Sequence, residues 1–172
     1  MPLHLQTPLI ESGAMPAREG QSVWLKMEAM QPPGSFKIRG IGFACEEYVR
    51  RGATRFISSS GGNAGIAAAY AGRRLGVPVV VVVPETSTAR ARELIGRENA
   101  QVIVHGASFQ EANALAQSMV TGSDAFIHPF DDPLLWQGHA STIDEVAAAG
   151  IKPDAVVLSV GSIGLLYWLI RR

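Results

Sequence analysis

Cysteine is almost missing: Cys45 is the only one in 172 residues. A single thiol builds no disulfide within the chain and no cysteine-based zinc site, a usage that fits a reducing, cytoplasmic compartment. Net charge is missing as well. Fifteen Lys and Arg balance fifteen Asp and Glu, with no basic run, so nucleic acid is not an expected partner. An anion must then be held locally, by backbone amides or one or two side chains. Histidine is scarce, and His4, His105, His128 and His139 have no metal-ligand spacing, so no metal is expected. Long apolar runs are absent. The longest, Val77 to Pro84, is far short of the roughly 20 residues a membrane-spanning helix needs. Residues 1–10 have no basic start and contain two prolines, which is not how a secretory leader begins. The nucleotide fingerprints G-x-G-x-x-G and G-x-x-x-x-G-K-[ST] are missing, and Ser60 has no obvious general base for a hydrolase triad.

What the chain has is core material: 47% hydrophobic residues, 18 glycines, and only 17% charged residues. Strand-like and helix-like segments alternate. Val23–Met27, Thr54–Ser59, Val79–Val83, Gln101–His105, Ala125–His128 and Ala155–Val160 read as strands. Most are continuous apolar runs, the mark of parallel strands buried on both faces. Ser35–Arg51, Asn63–Leu75, Ser87–Ile95, Ser108–Val120 and Ser141–Ala149 read as helices, with Gly52, Gly76 and Gly150 at C-terminal cap positions and a capping box from Ser108 to Glu111. The alternation predicts an α/β fold: an open, mainly parallel twisted sheet with helices on both faces. The stretch His128-Pro129-Phe130-Asp131-Asp132-Pro133 breaks the pattern and is the best place for a crossing between lobes.

Three features can carry chemistry. In Gly34-Ser35-Phe36-Lys37-Ile38-Arg39-Gly40 a turn feeds a helix whose first turn holds Lys37. The positive end of the helix dipole disfavours an ammonium there, and burial disfavours it further, which together favour the neutral amine that Schiff-base chemistry needs. The plain alternative is a solvated lysine at a helix start. Ser58-Ser59-Ser60-Gly61-Gly62-Asn63-Ala64-Gly65 joins a strand to a helix, at the end of a sheet where ligands bind. Its amides, hydroxyls and Asn63 side chain suit a carboxylate or phosphate; the alternative is a packing turn. Gly161-Ser162-Ile163-Gly164-Leu165 is a second glycine-containing turn after an apolar run, weak by itself.

Taken together, the Ser35–Gly40 and Ser59–Gly65 segments resemble the fold-type II pyridoxal-phosphate enzymes, whose architecture is that of the tryptophan-synthase β type. Thr7-Pro8-Leu9, Trp24-Leu25-Lys26-Met27-Glu28, His128-Pro129-Phe130-Asp131 and Gly138-His139-Ala140-Ser141 extend the likeness over nearly the whole chain. Ala64 after Asn63, with Gly61 before Gly62, resembles the catabolic L-serine dehydratase / L-threonine deaminase branch and argues against a β-replacing sulfhydrylase.

The resemblance implies a lyase with pyridoxal 5'-phosphate as cofactor, converting L-serine to pyruvate and ammonia and L-threonine to 2-oxobutanoate. It implies that Lys37 carries the cofactor as a Schiff base and is the catalytic base. Phe36 would pack beside the ring and Asn63 would bond its 3-oxygen. Ser60, Gly61, Gly62, Asn63 and Ala64 would hold the substrate, and Gly161, Ser162, Gly164 and Leu165 the phosphate. It further implies a homodimer, no nucleic acid or membrane partner, and three regions: 1–34 as the N-terminal part of a large domain, 35–130 as a small α/β domain, and 131–172 as an incomplete large domain. Two positions depart from the family pattern. Ser162 and Ile163 replace glycines of the phosphate turn, where a β-branched residue crowds an anion. The chain also corresponds to about the N-terminal half of the family, so a truncated, non-catalytic remnant that binds carboxylates or a partner is the competing expectation.

Overall fold

A computed structural model describes residues 1–15 and 18–159. Four strands form its main sheet: β3 (Arg55–Ser59), β4 (Val79–Val83), β5 (Gln101–Val104) and β6 (Asp124–Ile127), in the order β5-β4-β3-β6. All neighbours are parallel. The connections are α2 (Asn63–Leu75), α3 (Ala89–Arg97) and α4 (Phe109–Ser118), while α1 (Lys37–Arg50) precedes the sheet and α5 (Pro133–Ala148) follows it. A short antiparallel pair, β1 (Leu9–Glu11) with β2 (Trp24–Lys26), lies outside this sheet.

The five consecutive valines of β4 explain the layering. Val79, Val81 and Val83 join the core made with Ile38, Ile41 and the alanines of α2. Val80 and Val82 point the other way, to Ala112 and Ala116 of α4. A strand covered on both faces has no polar side, which is why it reads as an unbroken run. On the first face α1 crosses α5 closely. A methyl group built on Gly40 would meet the Leu135 carbonyl at 2.6 Å, and one on Gly138 would collide with the Arg39 carbonyl. Only a residue without a side chain lets the two backbones come this near.

Several expected elements shift. The helix expected from Ser141 begins at Pro133, because Asp132 accepts from the Leu134 amide at 2.8 Å and Pro133 takes the first helical position. Asp132 is thus a helix cap, the role expected of a carboxylate beside Pro133, and the helix starts eight residues ahead of Ser141. The helix expected from Ser87 starts at Ala89, capped by Thr88. The strand expected over Ala155–Val160 does not form in its described part, 155–159: Val157 is 98% exposed and has no strand beside it. A strand exists only by pairing, and apolar sequence alone does not supply the neighbour. In the capping box Ser108 Oγ accepts from Glu111 N–H as expected, but Glu111 turns its carboxylate to Ala107 N–H instead of to the cap residue. Among the described residues, no helix is long and apolar enough to cross a membrane.

Candidate active site

From β3 the chain moves outward to β4 on one side, whereas β6 lies on the other. The crevice between the carboxyl ends of β3 and β6 is therefore the topological switch point, where open α/β sheets bind ligands. Ser58 pairs in register with Ile127, so Ser60 and Pro129 each stand two residues beyond that pair, on the chains that leave these neighbouring strands. Ser58 Oγ donates to the Ile127 carbonyl at 2.9 Å and Ser59 Oγ to Asn113 Oδ1 at 2.6 Å, so both hydroxyls are spent inside the fold. Ser60, half-buried, accepts from Gly62 N–H at 3.3 Å.

The start of α2 is open to an anion. Its first backbone bond runs from Ile66 N–H to the Gly62 carbonyl, and no side chain caps it. The amides of Asn63, Ala64 and Gly65 thus precede the helical ladder. Asn63 is exposed, whereas the Ala64 methyl is buried in the core, leaving its amide as what it can offer. Gly61 is pressed on the turn after β4: a Cβ there would meet Ser87 Oγ at 2.6 Å.

Lys37 reaches this crevice from α1. Its Nζ donates to the Pro129 carbonyl at 3.0 Å. Burial holds its pKa below that of an ordinary lysine. The Phe36 ring lies 5.5 Å from the ammonium and packs at 5.2 Å on the ring of His139. His139 is 3% exposed, and burial, reinforced by the charges of Lys37 and Arg39, brings its pKa down to about 3. Its ring fills the notch over Gly40, where a Cβ would meet its Cε1 at 2.6 Å. His139 Nδ1 and Ser35 Oγ are buried without a hydrogen-bond partner among the described residues.

The turn that carries the Pro129 carbonyl is tied to the residue before it. His128 Nδ1 accepts from Asp131 N–H at 2.7 Å and from Phe130 N–H at 3.3 Å. Its ring stands edge-on to Phe130, centroids 4.6 Å apart, and to Phe126 at 6.0 Å. Burial lowers its pKa, against the pull of Asp131 and Asp132 and with the help of Lys37. Farther on, Asp132 Oδ2 accepts from Tyr48 Oη at 2.7 Å, so the last turn of α1 grips the segment that its first turn touches through Lys37.

Arg39, two residues from Lys37, has a part that its motif does not announce. It is fully buried. Its guanidinium donates to both oxygens of Glu28, at 2.8 and 2.7 Å, and of Glu145, at 2.6 and 2.9 Å. Lys26 Nζ reaches Glu145 at 2.5 Å, and Thr7 Oγ1 donates to Glu28 at 2.6 Å. Burial, the largest single cause, pushes both carboxyls up, but the hydrogen bonds and charge of Arg39, together with Thr7 and Gln31 at Glu28 and Lys26 at Glu145, hold both below the usual range. The signal in the sequence is an arginine on the apolar face of a helix beginning Lys-Ile-Arg-Gly-Ile: a buried guanidinium requires carboxylates. A surface depression of about 360 Å³ borders this network, lined by Thr7, Lys26 and Glu145 among others, and none of the expected site residues lines it.

The fold thus brings Phe36 and Lys37 to the same sheet edge as Ser60, Gly61, Gly62 and Asn63. Gly161, Ser162, Gly164 and Leu165 lie outside the described residues.

A family model for "Pyridoxal-phosphate dependent enzyme" matches residues 1–167. The chain is 46% identical over 173 residues to the human L-serine dehydratase/L-threonine deaminase, covering 99% of itself and 53% of that protein. Against the L-serine dehydratase of Dictyostelium discoideum it is 42% identical over 186 residues, with 99% and 53% covered. Among solved structures, a fungal L-serine ammonia-lyase from Rhizomucor miehei superimposes with a TM-score of 0.90 at 33% identity, over 99% of this chain and 56% of that one. The processed form of threonine deaminase isoform 2 from Solanum lycopersicum gives 0.87 at 26%, over 96% and 46%. The chain spans about half the length of the curated relatives it matches.

Proposed function

The chain belongs to the pyridoxal-phosphate dependent enzymes, and from that membership we propose that it serves the elimination of water from L-serine, whose released aminoacrylate takes water back to give pyruvate and ammonia, and likewise from L-threonine, giving 2-oxobutanoate and ammonia. The observation that carries the proposal is the Lys37 amine: partly desolvated, seated on the Pro129 carbonyl, and placed at the switch-point edge that also bears the Ser60–Asn63 loop. The relatives named for serine and threonine dehydration supply the substrate class.

The described residues fit the cofactor. A half-buried amine of lowered pKa suits covalent attachment, and the uncapped amides of α2 suit an anion. When bound, pyridoxal phosphate supplies an electron sink for the substrate's Cα. Lys37 Nζ would hold it covalently, and the same amine would take the substrate's Cα proton. Phe36 would lie beside it, and the Asn63 side chain would bond its 3-oxygen. Ser60 and the amides of Gly61, Gly62 and Ala64 would receive the substrate carboxylate, and the turn Gly161, Ser162, Gly164, Leu165 would take the phosphate.

In the same reading residues 35–130 form a small domain, since the whole four-stranded sheet falls within them, while 1–34 and 131–172 belong to a larger one. The working form is a cytoplasmic homodimer acting on free amino acids.

Titrating the purified chain with pyridoxal phosphate tests this. Wild type should develop the visible absorbance band of lysine-bound cofactor, and Lys37→Ala should not. Pyruvate release from L-serine and 2-oxobutanoate release from L-threonine then measure turnover. A wild-type chain that takes up no cofactor ends the catalytic reading for these 172 residues.

A further inference from the structure

The Lys37 ammonium is held by a carbonyl, and that carbonyl belongs to a turn with no sheet bonds of its own. Something must keep Pro129 in place. Proline lacks an N–H, so residue 129 cannot donate to secure its own turn. The flanking amides of Phe130 and Asp131 are the ones available, and both converge on His128 Nδ1. An imidazole accepting at Nδ1 is neutral and carries its proton on Nε2. The fixed end of the segment is independent of it: Asp132 is tied to Leu134 N–H and to Tyr48.

We infer that His128 is a positioning residue for Lys37: by accepting the Phe130 and Asp131 amides it fixes the turn whose Pro129 carbonyl seats the lysine amine. The inference rests on the proposed cofactor role of Lys37 for its importance, though not for its geometry. Without the acceptor, two amides lose their partner, the turn keeps only the 3.3 Å bond from Trp136 Nε1 to the Phe130 carbonyl and the Phe109–Phe130 ring contact, and Nζ gains water. Lys37 Nζ bonds the Pro129 carbonyl and not the His128 ring, so the hold of His128 on the amine passes through the main chain, beside the charge that Lys37 exerts on the imidazole through space.

Side-chain isosteres separate this role from simple packing. Asn places Oδ1 where His has Nδ1; Gln places its oxygen one bond farther; Phe keeps the edge-on ring contacts but accepts nothing. In the cofactor-free chain, the pH midpoint for modification of Lys37 by an acylating reagent, read by peptide mass against an added short lysine peptide, reports its burial. Wild type and His128→Asn should share a midpoint below that of the peptide lysine. His128→Phe and His128→Gln should move toward the peptide by about one unit, a tenfold change in neutral amine. Their apparent affinity for pyridoxal phosphate should fall about tenfold, and that of His128→Asn should not. A His128→Phe midpoint equal to wild type, or a His128→Asn midpoint displaced as far as that of Phe, overturns the inference. Failure of the wild type to bind cofactor overturns the proposed function instead, and the labelling midpoints still decide the role of His128.

Discussion

His139 is a titratable ring placed where water does not reach. Its pKa is about 3 in the fold, against 6.5 for an unperturbed histidine. The unfolded chain therefore takes up a proton that the folded chain refuses. The stability this group contributes is complete above pH 6.5 and falls as pH drops from 6.5 toward 3, where the folded form protonates too. Between pH 6.5 and 5 the loss is about 2 kcal/mol. Urea unfolding at pH 7 and pH 5 should show His139→Leu losing that much less than wild type. At this scale the sequence is readable where a residue type stands out in its motif. Lys37 and Asn63 do so by neighbours alone. The environments of His128 and His139 do not, because the hydrogen bonds and the glycine notch that define them come from residues brought together only by folding.

Elements form as expected where one face can be assigned from composition. The β4 valines, the α2 alanines and the capped start of α4 specify themselves. Misses come where an element depends on a partner, as with residues 155–159, or where Asp-Pro can be read both ways, as at Asp132-Pro133. The contact of α1 with α5 is also hidden, since Gly40 and Gly138 look like ordinary glycines until the two helices are laid together. Gly138→Ala should destabilise the chain by about 1–3 kcal/mol, the usual cost of overpacking. Because that methyl would wedge α5 off the helix that bears Lys37, the variant's cofactor absorbance should weaken even at temperatures where circular dichroism reports full folding. An unchanged melting temperature would show that the crossing has slack.

Across the molecule, the Arg39 cluster does what no single element does. It joins the Glu28 segment, α1 and α5 through a guanidinium with no exposed surface. Cutting one carboxylate leaves that charge half-compensated, so Glu145→Ala should cost about 3–5 kcal/mol in equilibrium unfolding. A pH dependence follows with its own sign. Both carboxyls titrate below their usual range when folded, so their stabilisation is present above about pH 4.5 and is lost as pH falls through the lower folded values. Charge counting sees only a balanced total; it cannot see that four of these charges are gathered in one buried place. The general architecture is plain from the alternation of runs, whereas this junction depends on residues more than 100 positions apart.

The tetrad Lys37-Ile38-Arg39-Gly40 has a consequence for how such a chain can evolve. Its four residues address four different surroundings: the crevice, the apolar core, the carboxylate cluster and the neighbouring helix. Each residue of an α-helix is turned about 100° from the last. Removing one residue from α1 just after the tetrad would therefore turn its four members by that angle against the rest of the helix, aiming a guanidinium at hydrocarbon and a side chain at a space that admits none. A single substitution disturbs one of these surroundings, whereas a register slip within this helix displaces all four at once.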